Sequence, residues 1–273
     1  MMNLTSHCKK MIPIQALGNC ILTQLPADVW AHWEVHFEEL ALPEGRILCE
    51  PGQALTHIYF PTTAIVSWQY LLASGECTEI AMVGKEGLVG LDLLMGAMHS
   101  NNQAVVQTAG HCIRIKLDVV LQSFQQNQIA QSLIMLYAGA LIAQMSHGNV
   151  CRQHHTVEQQ LSRMILMVLD RQKELHMHKT HEGMAQALGV RRESVSLAAA
   201  KLMKQGFISY SRGHLEVLDR AGLVQRSCEC YKLLQQLRCQ EFCVKGAVVK
   251  PKPSDCGWHS GSSLPPYAGL LCA

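Results

Sequence analysis

The chain has 273 residues, 48% hydrophobic and 16% charged, with a formal net charge of +2. This length admits two domains with separate cores, and the apolar share is that of a soluble globular protein. The twelve cysteines are scattered, mostly inside apolar strings such as Ile47-Leu48-Cys49, which suits reduced thiols in a cytoplasm better than a disulfide frame.

Lys9 and Lys10 precede no long apolar core or small-residue cleavage site, so no signal peptide is expected. Residues 1–40 read as helical around Pro26–Trp30, with Trp33 and Phe37 continuing one face. From Leu42 the pattern changes to short alternating runs between glycine and proline turns. GRILCEPG, HIYFPTTAIVSWQYLL, ECTEIAMVGKEG and NNQAVVQTAGHCIRIKL read as strands at regular spacing. They predict a small antiparallel β-roll or jelly-roll domain over residues 1–126, within an α+β chain. His57, His99 and His111 lie on these runs without the spacing or nearby acids of a cupin-type metal site, so no enzyme is expected.

Two helices follow, one from Asn127 to about Met145 and one from Thr156 to Gln172. In the first, Ile129, Leu133, Leu136, Ala140, Ala143 and His147 follow coiled-coil spacing, which makes residues 127–150 a dimerisation helix. Ile134, Leu141, Ile142 and Met145 make other faces apolar too, as burial on more than one side requires. The apolar run Ile129–Met145 is broken by Gln131 and Gln144 and is shorter than the roughly 20 residues of a membrane span, so no membrane partner is expected. His154-His155 and His176-Met177-His178 read as polar helix-face residues.

Thr180 to Asp219 organises the rest. Thr180 caps a helix whose Met184, Ala185 and Leu188 share a face, and Gly189 turns the chain at no steric cost. A second helix runs from Arg192 to Lys204 with Val195, Ala199 and Leu202 inward, and Gly206 ends it. Phe207–Val217 then alternates around Arg212-Gly213 as a hairpin. Helix, tight turn, helix and wing is the geometry that presents a second helix to a DNA major groove. Charge agrees: residues 1–150 hold six Lys and Arg against eleven Asp and Glu, and residues 173–226 hold nine against five. An acidic front and a basic reader suit a sensor joined to a DNA-binding domain.

These elements resemble the Crp/Fnr family of bacterial transcription regulators. The likeness rests on TxE at Thr180, ALGVxRESVS, KLxKQGFI, RG and LEVLDRAGL, in register to about Leu223. It implies a winged helix-turn-helix over 151–226, a cyclic-nucleotide-binding-like sensor, a homodimer on an inverted repeat, a cytoplasmic, nucleoid-associated location, and contact with RNA polymerase. Gly45, Gly52, Tyr59, Gly87 and Gly90 stand where that sensor fold expects them. Arg192, Glu193, Ser196 and Leu197 fall at base-contact positions. Arg192 can fork to guanine O6 and N7, Glu193 can accept from a cytosine amino group, and Leu197, where the family often has Arg, can pack on a thymine methyl. Thr180, Arg191, Lys201, Arg212 and His214 are the candidates for phosphate contact. In the sensor region Gly87, Gly90, Leu91, Asn102 and Gln103, Leu91 replaces the acid that takes the ribose hydroxyl and Asn102 the Arg that pairs with phosphate. A buried phosphate diester needs that cation, so cyclic AMP is not expected and no cofactor is assigned. The alternative is a sensor acting through protein partners, its DNA reader decayed.

Residues 227–273 form a C-terminal extension. Cys228, Cys230, Cys239 and Cys243 make a C-x-C-x8-C-x3-C string, but its first spacing is tight for structural zinc, and no metal is assigned. The Fnr branch holds an iron–sulfur cluster on a dense N-terminal cysteine set; here only Cys8 and Cys20 stand there, so none is expected. From Val244 proline, glycine and serine dominate, which reads as a mobile tail.

Overall fold

A computed structural model describes residues 18–242. After a 3-10 turn at Leu22–Gln24, helix α1 (Ala27–Glu34) buries Val29, Trp30 and Trp33. Strands β1 (Glu38–Leu42), β2 (Ile47–Cys49), β3 (His57–Pro61), β4 (Ile65–Leu71) and β5 (Cys77–Val83) follow, then a short helix α2 (Leu91–Leu94), β6 (Gln103–Thr108) and β7 (Gly110–Lys116). They make two antiparallel sheets, ordered β1-β7-β3 and β2-β6-β4-β5. Ile58, Phe60, Ile113, Ile115, Val66 and Ala104 fill the sensor core with Trp33.

β1 carries the sequence EELAL, which shows no alternation and gave no sequence signal. It forms by pairing with β7, where Arg114 Nη2 meets Glu38 Oε2 at 2.7 Å. β4 begins with three consecutive buried residues, Ile65, Val66 and Ser67. Val66 belongs to the sensor core, whereas Ile65 and its sheet neighbour Met82 belong to the core of the C-terminal domain. A strand covered on both faces loses its alternation, as a half-solvated one does not.

Helix α3 (Leu117–Gln126) closes the sensor and gives Trp33 a partner, Ser123 Oγ, which accepts the indole N–H at 2.8 Å. Asn127 then caps helix α4 (Gln128–His154) by accepting from the N–H groups of Ile129 and Ala130. At 27 residues α4 runs well past Met145, and it is long and apolar enough to cross a membrane by length and composition. The core helix of a globular domain passes the same test, and the run Ile129–Met145 is only the middle of this one. Its packing gives the apolarity another use. Ala130, Ile134, Tyr137, Ala138 and Leu141 enter the sensor core, and Gln144 is not an interruption but a cap. Its Oε1 accepts from Met82 N–H at 2.8 Å and its Nε2 donates to Met82 O at 3.1 Å, closing part of the edge of β5.

The C-terminal domain is built on α5 (Val157–Leu169), started by a capping box between Thr156 and Gln159 and buried without interruption from Gln160 to Leu169. Around it stand β8 (His176–His178), α6 (His181–Leu188), α7 (Arg192–Lys204), β9 (Ile208–Ser211), β10 (His214–Val217), α8 (Arg220–Arg226) and α9 (Glu229–Phe242). The three short strands form one sheet, β8-β10-β9. His176–His178, read from sequence as a polar helix face, is its edge strand. The C-terminal extension contributes α9, whose Tyr231 and Leu234 join the same core.

Candidate DNA interface

The helix-turn-helix forms from local causes. Thr180 Oγ1 accepts from Gly183 N–H at 3.0 Å, and α6 buries Met184, Ala185 and Leu188. Gly189 takes φ +69, a left-handed conformation open to a residue without Cβ, and Val190 N–H closes the turn on Ala185 O. α7 then buries Val195, Ala198, Ala199 and Leu202. Its boundaries are those read from sequence.

The opposite face of α7 presents Arg192, Glu193, Leu197, Ala200 and Lys201 to solvent. Leu197 is 67% exposed, an apolar side chain left without cover at the middle of this face. Thr180, Arg191, Arg212 and His214 are exposed as well, flanking it from the turn and the wing. Arg212 sits at φ +49 beside Gly213 at φ +88 in the two-residue loop joining β9 and β10. Two left-handed residues are what a tight hairpin needs, and they turn the Arg212 guanidinium outward at the wing tip.

Ser196 differs from expectation. It is half-buried, its Oγ lying 2.9 Å from His181 Nδ1, while the His181 ring stacks on Tyr210 with centroids 4.2 Å apart. Burial, with Arg192 nearby, lowers the pKa of His181. His181, the first residue of α6, thus holds a side chain of α7 in place. Its link to Ser196 spans fifteen residues and carries no local signal.

The sensor residues come together around packing rather than charge. A Cβ on Gly87 would lie 2.3 Å from the Tyr137 ring, so the glycine admits that ring from α4; Tyr137 OH donates to Leu88 O at 3.0 Å. Gly90, at φ +102, starts α2, and Leu91 is buried. Leu91 lines a narrow apolar recess with Val66, Trp68, Val83, Leu88 and Leu141, and none of these lining side chains is a cation. Asn102 is held in a turn with Ser100, its N–H donating to Ser100 Oγ at 3.3 Å. Gln103 donates to Glu50 Oε2 at 2.7 Å. Neither Asn102 nor Gln103 lines the apolar cavity.

Residues 39–127 match the family model described as the cyclic nucleotide-binding domain, and residues 159–226 match that of the Crp-like helix-turn-helix domain. Together they span more than half of the sequence. The chain belongs to the Crp/Fnr family of transcription regulators. This Crp/Fnr regulator matches no curated protein in sequence. Among solved structures it is similar to a Crp/Fnr-family transcriptional regulator from Eubacterium rectale, at 12% identity and TM-score 0.61 over 79% of this chain and 97% of that one. FixK2 from Bradyrhizobium japonicum follows at 14% identity and TM-score 0.59, over 70% and 98%. The c-di-GMP-responsive regulator CLP of Xanthomonas campestris matches at 15% identity and TM-score 0.55, over 70% and 99%. These likenesses are of fold.

Two further contacts in this regulator join the N-terminal β domain to the C-terminal domain. Arg171, just after α5, is buried against Glu86 in the Gly84–Gly87 turn of the sensor. α6 itself packs on β5, and Arg152 of α4 donates to the backbone oxygen of Glu79 in that strand. The cysteine string is regrouped. Cys228 and Cys230 meet Cys151 and His155 of the α4 terminus, with all four ligand atoms within 4.8 Å of one another. The helix-face reading of His155 is therefore corrected, its side chain being 11% exposed and turned inward. The side chain of Cys239, and Cys243 entirely, lie outside the described residues.

Proposed function

We propose that the protein is a homodimeric, sequence-specific transcription regulator whose two α7 helices enter successive major grooves of an inverted repeat. The observation that carries this is the exposed face of α7, opened by Arg192 and Glu193 and flanked by cations of the turn and wing. Forked donors and acceptors on an exposed helix read base edges, and Arg191, Lys201, Arg212, Thr180 and His214 fix the register through phosphates. Leu197 favours a thymine methyl at its position.

The second copy covers the outer face of α4. Ile129, Leu136 and Val150 are exposed there at seven-residue spacing, with Ala143 half-buried between them and Ser132, Gly139 and Ser146 alongside. Small residues on such a seam let two helices approach closely, whereas Gln128, Gln131 and Asn149 on the same exposed side suit water better than lipid. Leu133, expected on the seam, packs instead against the sensor core, and Ala140 is half-buried beside it. The proposed seam therefore keeps Ile129, Leu136 and Ala143 of the sequence reading and leaves Leu133 to the sensor core.

The sensor does not take a cyclic nucleotide in the family manner. Asn102 stands where a phosphate diester needs a cation and Leu91 where the ribose hydroxyl needs an acid, and the recess beside Leu91 is lined by apolar side chains. The family relation favours a cytoplasmic protein that meets RNA polymerase at its promoters.

The test is selection of genomic fragments by the purified full chain with no ligand added. Enrichment of an inverted repeat supports the reading. Folded, dimeric protein that enriches nothing, and whose binding to mixed duplexes does not weaken with salt, points to the decayed-reader alternative.

A further inference from the structure

Cys151, Cys228 and Cys230 form a buried cluster apart from both hydrophobic cores, and His155 completes it. Two elements far apart in sequence supply the four groups. Cys151 and His155 are one helical turn apart at the end of α4, so both side chains fall on one face. Cys228 and Cys230 flank the first residue of α9. Cys151 Sγ lies 3.5 Å from Cys228 Sγ, and Cys230 Sγ lies 3.7 Å from His155 Nδ1.

These separations are those of a coordination polyhedron. Metal–sulfur bonds of about 2.3 Å in a tetrahedron place neighbouring sulfurs about 3.8 Å apart, with the sulfur–nitrogen edge slightly shorter. The geometry points to a tetrahedral site for one divalent ion of the zinc class, with Cys151, Cys228 and Cys230 thiolates and His155 Nδ1 as ligands. A cluster of several irons needs ligands spread more widely than 4.8 Å.

Two surrounding contacts support a metal rather than idle thiols. The other ring nitrogen of His155, Nε2, lies 3.1 Å from Glu229 Oε1. A carboxylate on the far side of a ligating imidazole fixes its tautomer and aims the bare nitrogen at the ion. The buried guanidinium of Arg163 acts electrostatically on all three sulfurs and offsets the surplus negative charge that three thiolates leave on a divalent ion.

The position gives such an ion a task. It would fasten the start of α9, the second helix after the wing, to the end of the long helix, one residue before the Thr156 cap of α5. Metal loading would then set the angle at which α5, and with it α7, leaves α4.

The experiment uses reduced, metal-stripped full-length protein titrated with zinc, and with cobalt(II) as the spectroscopic probe. The expected result is one ion per chain, with the intense visible bands of tetrahedral cobalt and a near-ultraviolet thiolate charge-transfer band. Cys151→Ala and Cys230→Ala each abolish both bands while far-ultraviolet circular dichroism stays native. The double variant Cys239→Ala/Cys243→Ala leaves them unchanged. Glu229→Gln keeps the spectrum but weakens zinc binding by about 10- to 100-fold, the usual range for losing an outer-shell partner. If Cys151→Ala failed to fold, Glu229→Gln and the Cys239/Cys243 variant would still decide the matter. A weak octahedral cobalt spectrum overturns the proposal. So does loss of the bands in the Cys239/Cys243 variant with retention in Cys151→Ala, or a Cys151–Cys228 disulfide in air-purified protein that binds no ion after reduction.

Discussion

Arg171 Nε lies 2.6 Å from Glu86 Oε1, with both side chains nearly sealed from water. The same guanidinium donates to Met167 O at 2.8 Å and to Met82 O at 3.2 Å, and its aliphatic stem lies against Gly84, where a Cβ would come within 2.9 Å of Arg171 Cγ. One side chain thereby ties the end of α5 to a sensor turn and to strand β5. Removing one partner leaves a buried charge uncompensated, so Glu86→Gln and Arg171→Met are each expected to destabilise the chain by about 3–5 kcal/mol. The double variant, which buries no net charge, is expected to recover much of that loss. Denaturant unfolding of the three variants measures it; additive losses in the double variant would show that the pair does not act as a unit.

Arg192 and Lys201 share the exposed face of α7 but are expected to fail differently. Arg192→Ala removes a forked contact to a base edge, costing about 1–3 kcal/mol at the cognate site and relaxing one base position. Lys201→Ala weakens all sequences alike and lowers the salt slope by about 1. Anisotropy titrations against the selected site and its single-base variants, over a range of salt, separate the two. Unchanged affinity and selectivity in Arg192→Ala would falsify the recognition-helix assignment.

At Arg212 stability and binding pull in opposite directions. A left-handed backbone costs a residue with Cβ about 1–2 kcal/mol, less for Asn, whose short side chain bonds locally. Arg212→Asn is therefore expected to raise the unfolding temperature while weakening DNA binding and its salt dependence. A variant that lost both would mean that the guanidinium holds the wing together instead.

The outer stripe of α4 offers a test of assembly. Leu136 is 49% exposed on it, whereas Leu133 packs against the sensor core. Leu136→Glu is expected to give a folded monomer by sedimentation, with affinity for an inverted repeat falling toward that for a half-site. Leu133→Ala is expected to lower stability and leave the dimer intact. The reverse outcome would return the seam to the spacing expected from sequence.

What could be read from the sequence was local. Thr180, Gly189 and Gly206 punctuate α6 and α7, and the inward positions follow the helical period, so the reader was legible nearly residue by residue. Leu91 and Asn102 could be read against the charged sensor contacts for the same reason: each is a residue type at a fixed distance from a glycine turn. The proposed seam of α4 was legible as apolar spacing but not as a direction, because Ile134, Leu141 and Ile142 satisfy several stripes and only packing chooses among them. Contacts between distant segments left no trace. Gln144 reads as a polar break until β5 is beside it, and Cys151 is a single cysteine until α9 folds back.

His181 makes the reader sensitive to acid. Burial first, then the charge of Arg192, lowers its pKa from the ordinary value of 6.5. The folded chain therefore resists a proton that the unfolded chain accepts. Stability from this source is present above about pH 6.5 and is lost as pH falls through the lowered folded value. His181→Phe keeps an aromatic ring to stack on Tyr210 but cannot titrate. It is expected to start from a lower unfolding temperature at pH 7.5, for want of the Ser196 contact, and to lose less on acidification to pH 5.5 than the parent does. Thermal melts of both proteins at the two pH values decide it. Equal acid losses would place the sensitivity on other histidines and leave His181 with only its stacking and its hold on Ser196.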